Sequence, residues 1–472
     1  MSIVILLAGL APSIVAGWLL LRAIEGGAPS LLRVEHWAMA SLLGPACAML
    51  LAFLANVTVG LPLSRLGFLS VHVVLLGLAV FAWNLRCRSS VSSVSLVSSS
   101  PPPRWVRITL WILAGWTTVK ILTLASAFLF LTPTFLDDSL DNWNLRAKVF
   151  QHEQTFSLSL PGIAMEQQAI DVTSYPPMVP MLKAWLTTLG GEWSEPVANG
   201  VHLLWLLTSI ALVACAVRRF LSAPWAWLGA YVLCSLPLFL IHGVNTYVDA
   251  FLAAHIAAAV LPAWLALRAT DDAARGSLLR IAAVMTALLP FTKNEASVLY
   301  LPLIAVILIA ELLARTGGRR TANALAWYAG AAAVLALPWL VYKWSHGLAF
   351  GNAKAVSDVA LAWHEGVLQA VVVNTFFEGN WLILFPLFFV LLAWRARHLI
   401  RSPERFPILF VLASMAAQLC IFLFTPLAAE AVRQTGLARG LIHLTPIIVV
   451  LLLLFIHDTI RPWLPVWAKR SE

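Results

Sequence analysis

Apolar runs of about 17–22 residues recur from one end of the chain to the other, each long enough to cross a hydrocarbon core of roughly 30 Å. They carry no period-2 alternation, which excludes a membrane β-barrel. In lipid an unbroken apolar run satisfies its backbone hydrogen bonds as a helix. The pattern predicts an all-α, polytopic helical membrane protein with about thirteen transmembrane helices. They are expected near 3–21, 37–55, 68–84, 108–131, 197–217, 223–241, 247–267, 279–292, 296–314, 322–343, 380–396, 407–425 and 441–457. The first has no basic residue ahead of it and exceeds the usual signal-peptide core, so it is read as a retained span. The eighth is too short to cross comfortably, which predicts that Lys293 and Glu295, just beyond it, lie below the membrane surface.

Composition agrees: 61% of the 472 residues are hydrophobic and 11% charged, against roughly 45–50% and 25% in soluble domains. The net charge of +9 does not imply nucleic acid, because the basic residues fall in short loops at alternate ends of the spans. The richer set runs from Arg22 and Arg33 through Arg86, Arg107, Arg218, Arg268, Arg319 and Arg401 to Lys469. That set is expected in the cytoplasm with the C-terminus, which puts the long loops 132–196, 344–379 and 426–440 outside. Residues 1–88 form a three-span N-terminal unit and 89–107 a cytoplasmic Ser/Pro linker. Residues 108–460 form the main transmembrane unit, and 461–472 a cytoplasmic tail. The cysteines show no C-x-x-C spacing and sit mostly in or beside apolar runs, so neither a disulfide framework nor a cysteine metal site is indicated.

The candidate chemistry concentrates where the chain leaves the fourth span. Asp137, Asp138 and Asp141 fall within five positions. A helix beginning near Ser139 places Leu140, Trp143, Ala147 and Phe150 on one apolar stripe, with Asp141 and Lys148 on a neighbouring face and Arg146 further round. This predicts an amphipathic helix in the outer interface. Tyr175-Pro176-Pro177 then sets an extended turn before a second apolar stretch bearing Lys183.

Asp138 to Lys148 and Tyr175 to Pro180 resemble motifs of the GT-C glycosyltransferases, most closely bacterial relatives of the protein mannosyltransferases and the aminoarabinose lipid transferases. Tyr247-Val248-Asp249, Lys293-Asn294-Glu295 and Arg439 to Pro446 follow in the family's order, so the resemblance covers roughly 105–460. It implies sugar transfer from a polyprenyl-phosphate donor to an acceptor hydroxyl of a lipid, glycan or protein on the outer, periplasmic face of a bacterial inner membrane; no metal or other cofactor is expected. Asp138, or Asp137 in competition, would be the base of an inverting displacement. Lys293, Arg439 and Lys183 would meet the phosphate. Trp143 and Tyr175 would pack on the sugar, with Asp141, Lys148, Asp249, Glu295 and His443 completing the substrate contacts. The chain has Asp-Asp where many relatives have Asp-Glu, and it lacks the large soluble insertion of the eukaryotic enzymes.

Plainer roles fit the same residues. An Asp at 137 or 138 caps a helix, Lys148 and Arg146 snorkel to lipid head groups, and Lys293 with Glu295 forms a structural ion pair. His152, His242 and His364 read as surface histidines. The rival function is a transporter or flippase of a lipid-linked or anionic solute, lined by Lys293, Glu295 and Arg439; a scaffold that has lost activity is the third reading.

Overall fold

The computed structural model describes residues 1–86, 101–160, 172–351, 362–433 and 435–468. The serine run of the expected linker and Lys469 lie outside the described residues. Among the described residues the structure is helical, with no strand. The helices are α1 (Ser2–Glu25), α2 (Arg33–Val59), α3 (Arg65–Arg86), α4 (Arg104–Leu131), α5 (Asn144–Glu153) and α6 (Met178–Gly190). Then come α7 (Glu195–Phe220), α8 (Ala223–Ser235), α9 (Pro237–Gly243), α10 (Asp249–Arg268), α11 (Asp272–Phe291) and α12 (Ala296–Arg315). The last six are α13 (Gly318–Ser345), α14 (Val367–Phe376), α15 (Leu384–Leu399), α16 (Arg405–Phe424), α17 (Ala428–Val432) and α18 (Gly436–Trp463).

Among the described residues eleven helices are long and apolar enough to cross a membrane, or twelve with α8 and α9 taken as one span bent by 82°. The expected thirteen are not reached. The bend has a local cause: Pro237 has no backbone N–H to give and holds Leu236 extended, at φ −73° and ψ 114°. The span expected at 380–396 is α15, 16 residues long. At 1.5 Å per residue it falls several ångströms short of the hydrocarbon core. The eighth span is also corrected, in the other direction. Asp271 caps it, accepting from the Ala274 backbone N–H at 2.8 Å. The polar turn that follows is helical, so α11 is 20 residues long and not short.

Two helices run through the centre, α10 and α18, each 94% buried over its most apolar window, whereas α4 and α13 are 17% buried and present apolar side chains outward. That inversion suits lipid as the solvent. The N-terminal spans share one continuous core with the rest, which runs from Leu6 to Phe455. Helices α1 and α2 meet backbone to backbone: a Cβ on Gly44 would stand 1.8 Å from the Ser13 carbonyl oxygen.

One end of the bundle is tied by ion pairs of the arginine-rich loops. Arg219 bonds Glu35, Arg268 bonds Glu404, and Glu311 holds Arg315 at 2.7 Å and Arg405 at 2.5 Å. The opposite end carries α5 and α6. Helix α5 is preceded by a π turn over Ser139–Trp143 that shifts the register. Trp143, Ala147 and Phe150 are buried as expected, but Leu140 is 44% exposed and Arg146, expected at the lipid surface, is fully buried.

Candidate active site

Asp249 is the first residue of α10, where the exposed N–H groups of the helix favour a carboxylate. Its side chain is fully buried and saturated with donors. Lys293 Nζ donates to Oδ1 at 2.8 Å and His443 Nε2 contacts the same oxygen at 3.0 Å. Arg439 Nε donates to Oδ2 at 2.9 Å, and His242 Nδ1 lies 3.1 Å from that oxygen. Arg439 and His443 reach it together because they are four apart on α18. The bend between α8 and α9 turns His242 inward, and the structure therefore corrects its reading as a surface histidine: it is 5% exposed.

The cluster extends both ways from Asp249. Arg439 Nη2 bonds Asp138 Oδ2 at 2.5 Å, joining the loop after α4 to α18. The guanidinium also lies over the Tyr247 ring at 5.2 Å, and His242 stacks against Tyr247 at 4.3 Å. Ser139 Oγ donates to the Thr246 carbonyl at 2.8 Å and so pins the Asp138 loop beside Tyr247. In the other direction a chain of neutral groups backs His443. Gln418 Nε2 donates to Tyr300 Oη at 3.0 Å, and Tyr300 Oη lies 2.9 Å from His443 Nδ1. With Nε2–H directed at Asp249, Nδ1 is the acceptor, so the Tyr300 hydroxyl donates to it.

Lys293 and Glu295 sit between α11 and α12. Burial alone would lower the lysine, but Asp249 and Glu295 outweigh it and hold the ammonium above its usual pKa. Burial would raise Glu295; Lys293, with 3.4 Å between the charged groups, outweighs that and holds the carboxyl below its usual value. Both are charged at neutral pH.

A cavity of about 760 Å³ opens over this cluster. Asp137, Asp138, Asp141, Trp143, Tyr175, Lys293, Glu295, Arg439 and His443 line it, with Asp249 bonded behind Lys293, Arg439 and His443. Trp143 and Tyr175 meet edge to face at 5.6 Å. Val298 and Leu299 of α12 and Ile421 and Phe422 of α16 add apolar surface to its lining. The structure thus gathers residues lying 300 positions apart, but not Lys148 or Lys183. Lys148 is exposed, over Trp193 at 5.2 Å and 3.9 Å from Glu195. Lys183 is fully buried elsewhere and donates to Asn144 Oδ1 at 2.7 Å; burial pushes its pKa down to about 7. No group of three His, Cys, Asp or Glu among the described residues is arranged for a metal ion.

Residues 174–344 match the sequence profile of the family described as dolichyl-phosphate-mannose-protein mannosyltransferase. The chain also superposes on the crystal structure of ArnT from Cupriavidus metallidurans in the apo state, with a TM-score of 0.51 and 16% identity. The chain has the GT-C glycosyltransferase fold. The superposition covers 76% of this chain and 62% of that one, so the chain spans less than two thirds of its structural relative. No curated protein matches it.

Tyr300, Gln418, Glu430 and Phe350 also line the cavity and were not singled out in the sequence. They are single polar or aromatic residues in apolar surroundings or at loop ends. Only Gln418, an amide in the middle of an apolar span, carried a usable signal.

Proposed function

We propose that the protein transfers a sugar from a polyprenyl-phosphate donor to an acceptor hydroxyl at the outer, periplasmic face of a bacterial inner membrane. The observation that carries this reading is the pairing of Asp138 with Arg439, itself anchored on buried Asp249, in a cavity that also has apolar lining from α12 and α16. A lipid-linked sugar needs both surfaces at once, an apolar wall for its chain and polar groups for its head.

In the proposed step the acceptor oxygen forms a bond to the anomeric carbon while the bond from that carbon to the phosphate oxygen breaks. The acceptor proton goes to the Asp138 carboxylate, and the bonding pair leaves with the phosphate. Arg439 has a dual part. Its bond to Asp138 aims the carboxylate, and its anchoring by Asp249 fixes it without reorganisation during the reaction. Asp137 is more exposed and has no cation at salt-bridge distance among the described residues, so it ranks second as base. Trp143 and Tyr175 offer aromatic faces to the sugar. Transport of the same lipid fits less well, because the ionisable groups cluster at one end of the bundle and not near its middle.

Loss of the base lowers such reactions by roughly 10²–10⁴-fold. Asp138→Asn is expected to lower transfer of labelled sugar by that factor, in membranes supplied with a polyprenyl-phosphate sugar. Asp137→Asn is expected to have a smaller effect. Full activity in both variants, at wild-type expression, sinks the assignment.

A further inference from the structure

Among the described residues four lysine and arginine side chains are fully or nearly fully buried: Arg146, Lys183, Lys293 and Lys343. Lys293 has carboxylates, and Lys183 sits in a polar nest with Asn144 beside the field of Glu195. Arg146 and Lys343 are different. Lys343 Nζ donates to the Ser174 carbonyl at 2.7 Å and to Asn294 Oδ1 at 2.6 Å, both neutral oxygens. Arg146 has one long bond, from Nη1 to Asn142 Oδ1 at 3.4 Å, and its Nε and Nη2 have no partner. The two cations are near enough to repel one another.

The unpartnered atoms of Arg146 are informative in themselves. Nε–H and the adjacent Nη2–H project in parallel from one edge of the guanidinium, the fork that grips two oxygens of a phosphate or carboxylate. Burying such a fork empty carries a full desolvation penalty. Lys343 adds a point charge on a flexible stem. Both stand one residue behind the cavity wall: Asn142, bonded to Arg146, lines the cavity, as do Tyr175, which follows Ser174, and Phe350, whose ring lies 5.5 Å from Lys343 Nζ. Asn294, which bonds Lys343, lies between Lys293 and Glu295 and so connects this pair to the Asp249 cluster.

Charge balance separates the two places. Lys293 and Arg439 are already compensated by Asp249, Asp138 and Glu295, so an incoming phosphate finds no net positive charge there. We propose that Arg146 and Lys343 form an oxyanion subsite beside the cavity that binds a phosphate group of the substrate, reached by displacement of the Asn142 carboxamide. The inference rests on the sugar-transfer reading for the source of that phosphate, either the donor lipid or an acceptor, and not for the chemistry of the subsite.

Binding, not turnover, is the test. Full-length protein in nanodiscs is titrated with undecaprenyl phosphate, with uncharged polyprenol, and with inorganic phosphate as competitor. Arg146→Met and Lys343→Met are each expected to weaken undecaprenyl phosphate at least tenfold and leave polyprenol unchanged. Arg146→Lys, which keeps the charge but loses the fork, falls between. Competition by inorganic phosphate that disappears in Arg146→Met supports a subsite reading phosphate from any source; undecaprenyl phosphate binding that inorganic phosphate does not displace, yet is weakened by both substitutions, assigns it to the lipid. The readout is binding and not transfer, so failure of the transfer assay leaves this result untouched. Wild-type affinity for undecaprenyl phosphate in Arg146→Lys, Arg146→Met and Lys343→Met overturns the proposal, as does a loss that appears equally with polyprenol.

Discussion

At the scale of single residues, the molecule treats its buried charges in two ways. Asp249 is surrounded by donors and orders everything near it. Lys183 has a neutral amide and burial that favours its uncharged form, with a pKa near 7. The pH dependence follows from that depression. Between its folded value and the unfolded value near 10.4 the unfolded chain binds the extra proton, so stability rises with pH across that window, by up to about 1.4 kcal/mol per unit. Lys183→Met removes the liability. The variant is expected to unfold at a higher temperature than wild type at pH 7, with the advantage shrinking at pH 9; an advantage independent of pH contradicts the assignment. Part of this was legible in the sequence. Asp138, Lys293, Arg439 and His443 could be picked out because charged groups are rare in such a chain and these fall in an ordered set of motifs. The burial of Arg146 and Lys183 was not legible. Both lie on short helices outside the spans, where hydropathy says little about what packs above them.

At the scale of elements, the helices were readable because lipid imposes a length and a composition on them. Their breaks were less so. Pro237 marked the bend between α8 and α9 only once the turn of His242 towards Asp249 was visible. The polar first turn of α11 hid a helix start that Asp271 capping makes ordinary. Likewise the π turn at Ser139–Trp143 rotates Leu140 off the apolar stripe that a regular helix predicts. Packing between elements yields a direct prediction. A Cβ on Gly44 meets the Ser13 carbonyl oxygen at 1.8 Å, whereas one on Gly77 meets nothing within 4 Å. Gly44→Ala must therefore push α1 from α2, at a loss of about 1–3 kcal/mol. Gly77→Ala should be neutral or stabilising by up to about 1 kcal/mol. Thermal unfolding of the two variants in one detergent tests this, and an equal response in both refutes the close contact.

At the scale of the whole molecule, the two ends of the bundle have separate characters. One is a belt of arginines paired with Glu35, Glu311, Glu404 and Asp458, which knits short loops together. The other holds the long loops, the Asp249 cluster and a cavity with apolar lining from α12 and α16. The GT-C fold brings the Asp138 loop and the first turn of α18 to that same end, although 301 positions separate Asp138 from Arg439. No local pattern encodes such a meeting; only the packing of α10 against α18 at the centre does. Such an arrangement is what the proposed surface chemistry on a lipid substrate rests on. The most direct test follows both halves of a donor in proteoliposomes, with the sugar and the polyprenyl phosphate separately labelled. The account predicts that sugar label appears on the acceptor with its anomeric centre inverted, while free polyprenyl phosphate accumulates in equal amount. Donor recovered intact on the opposite leaflet, with no transfer to any acceptor supplied, would contradict it.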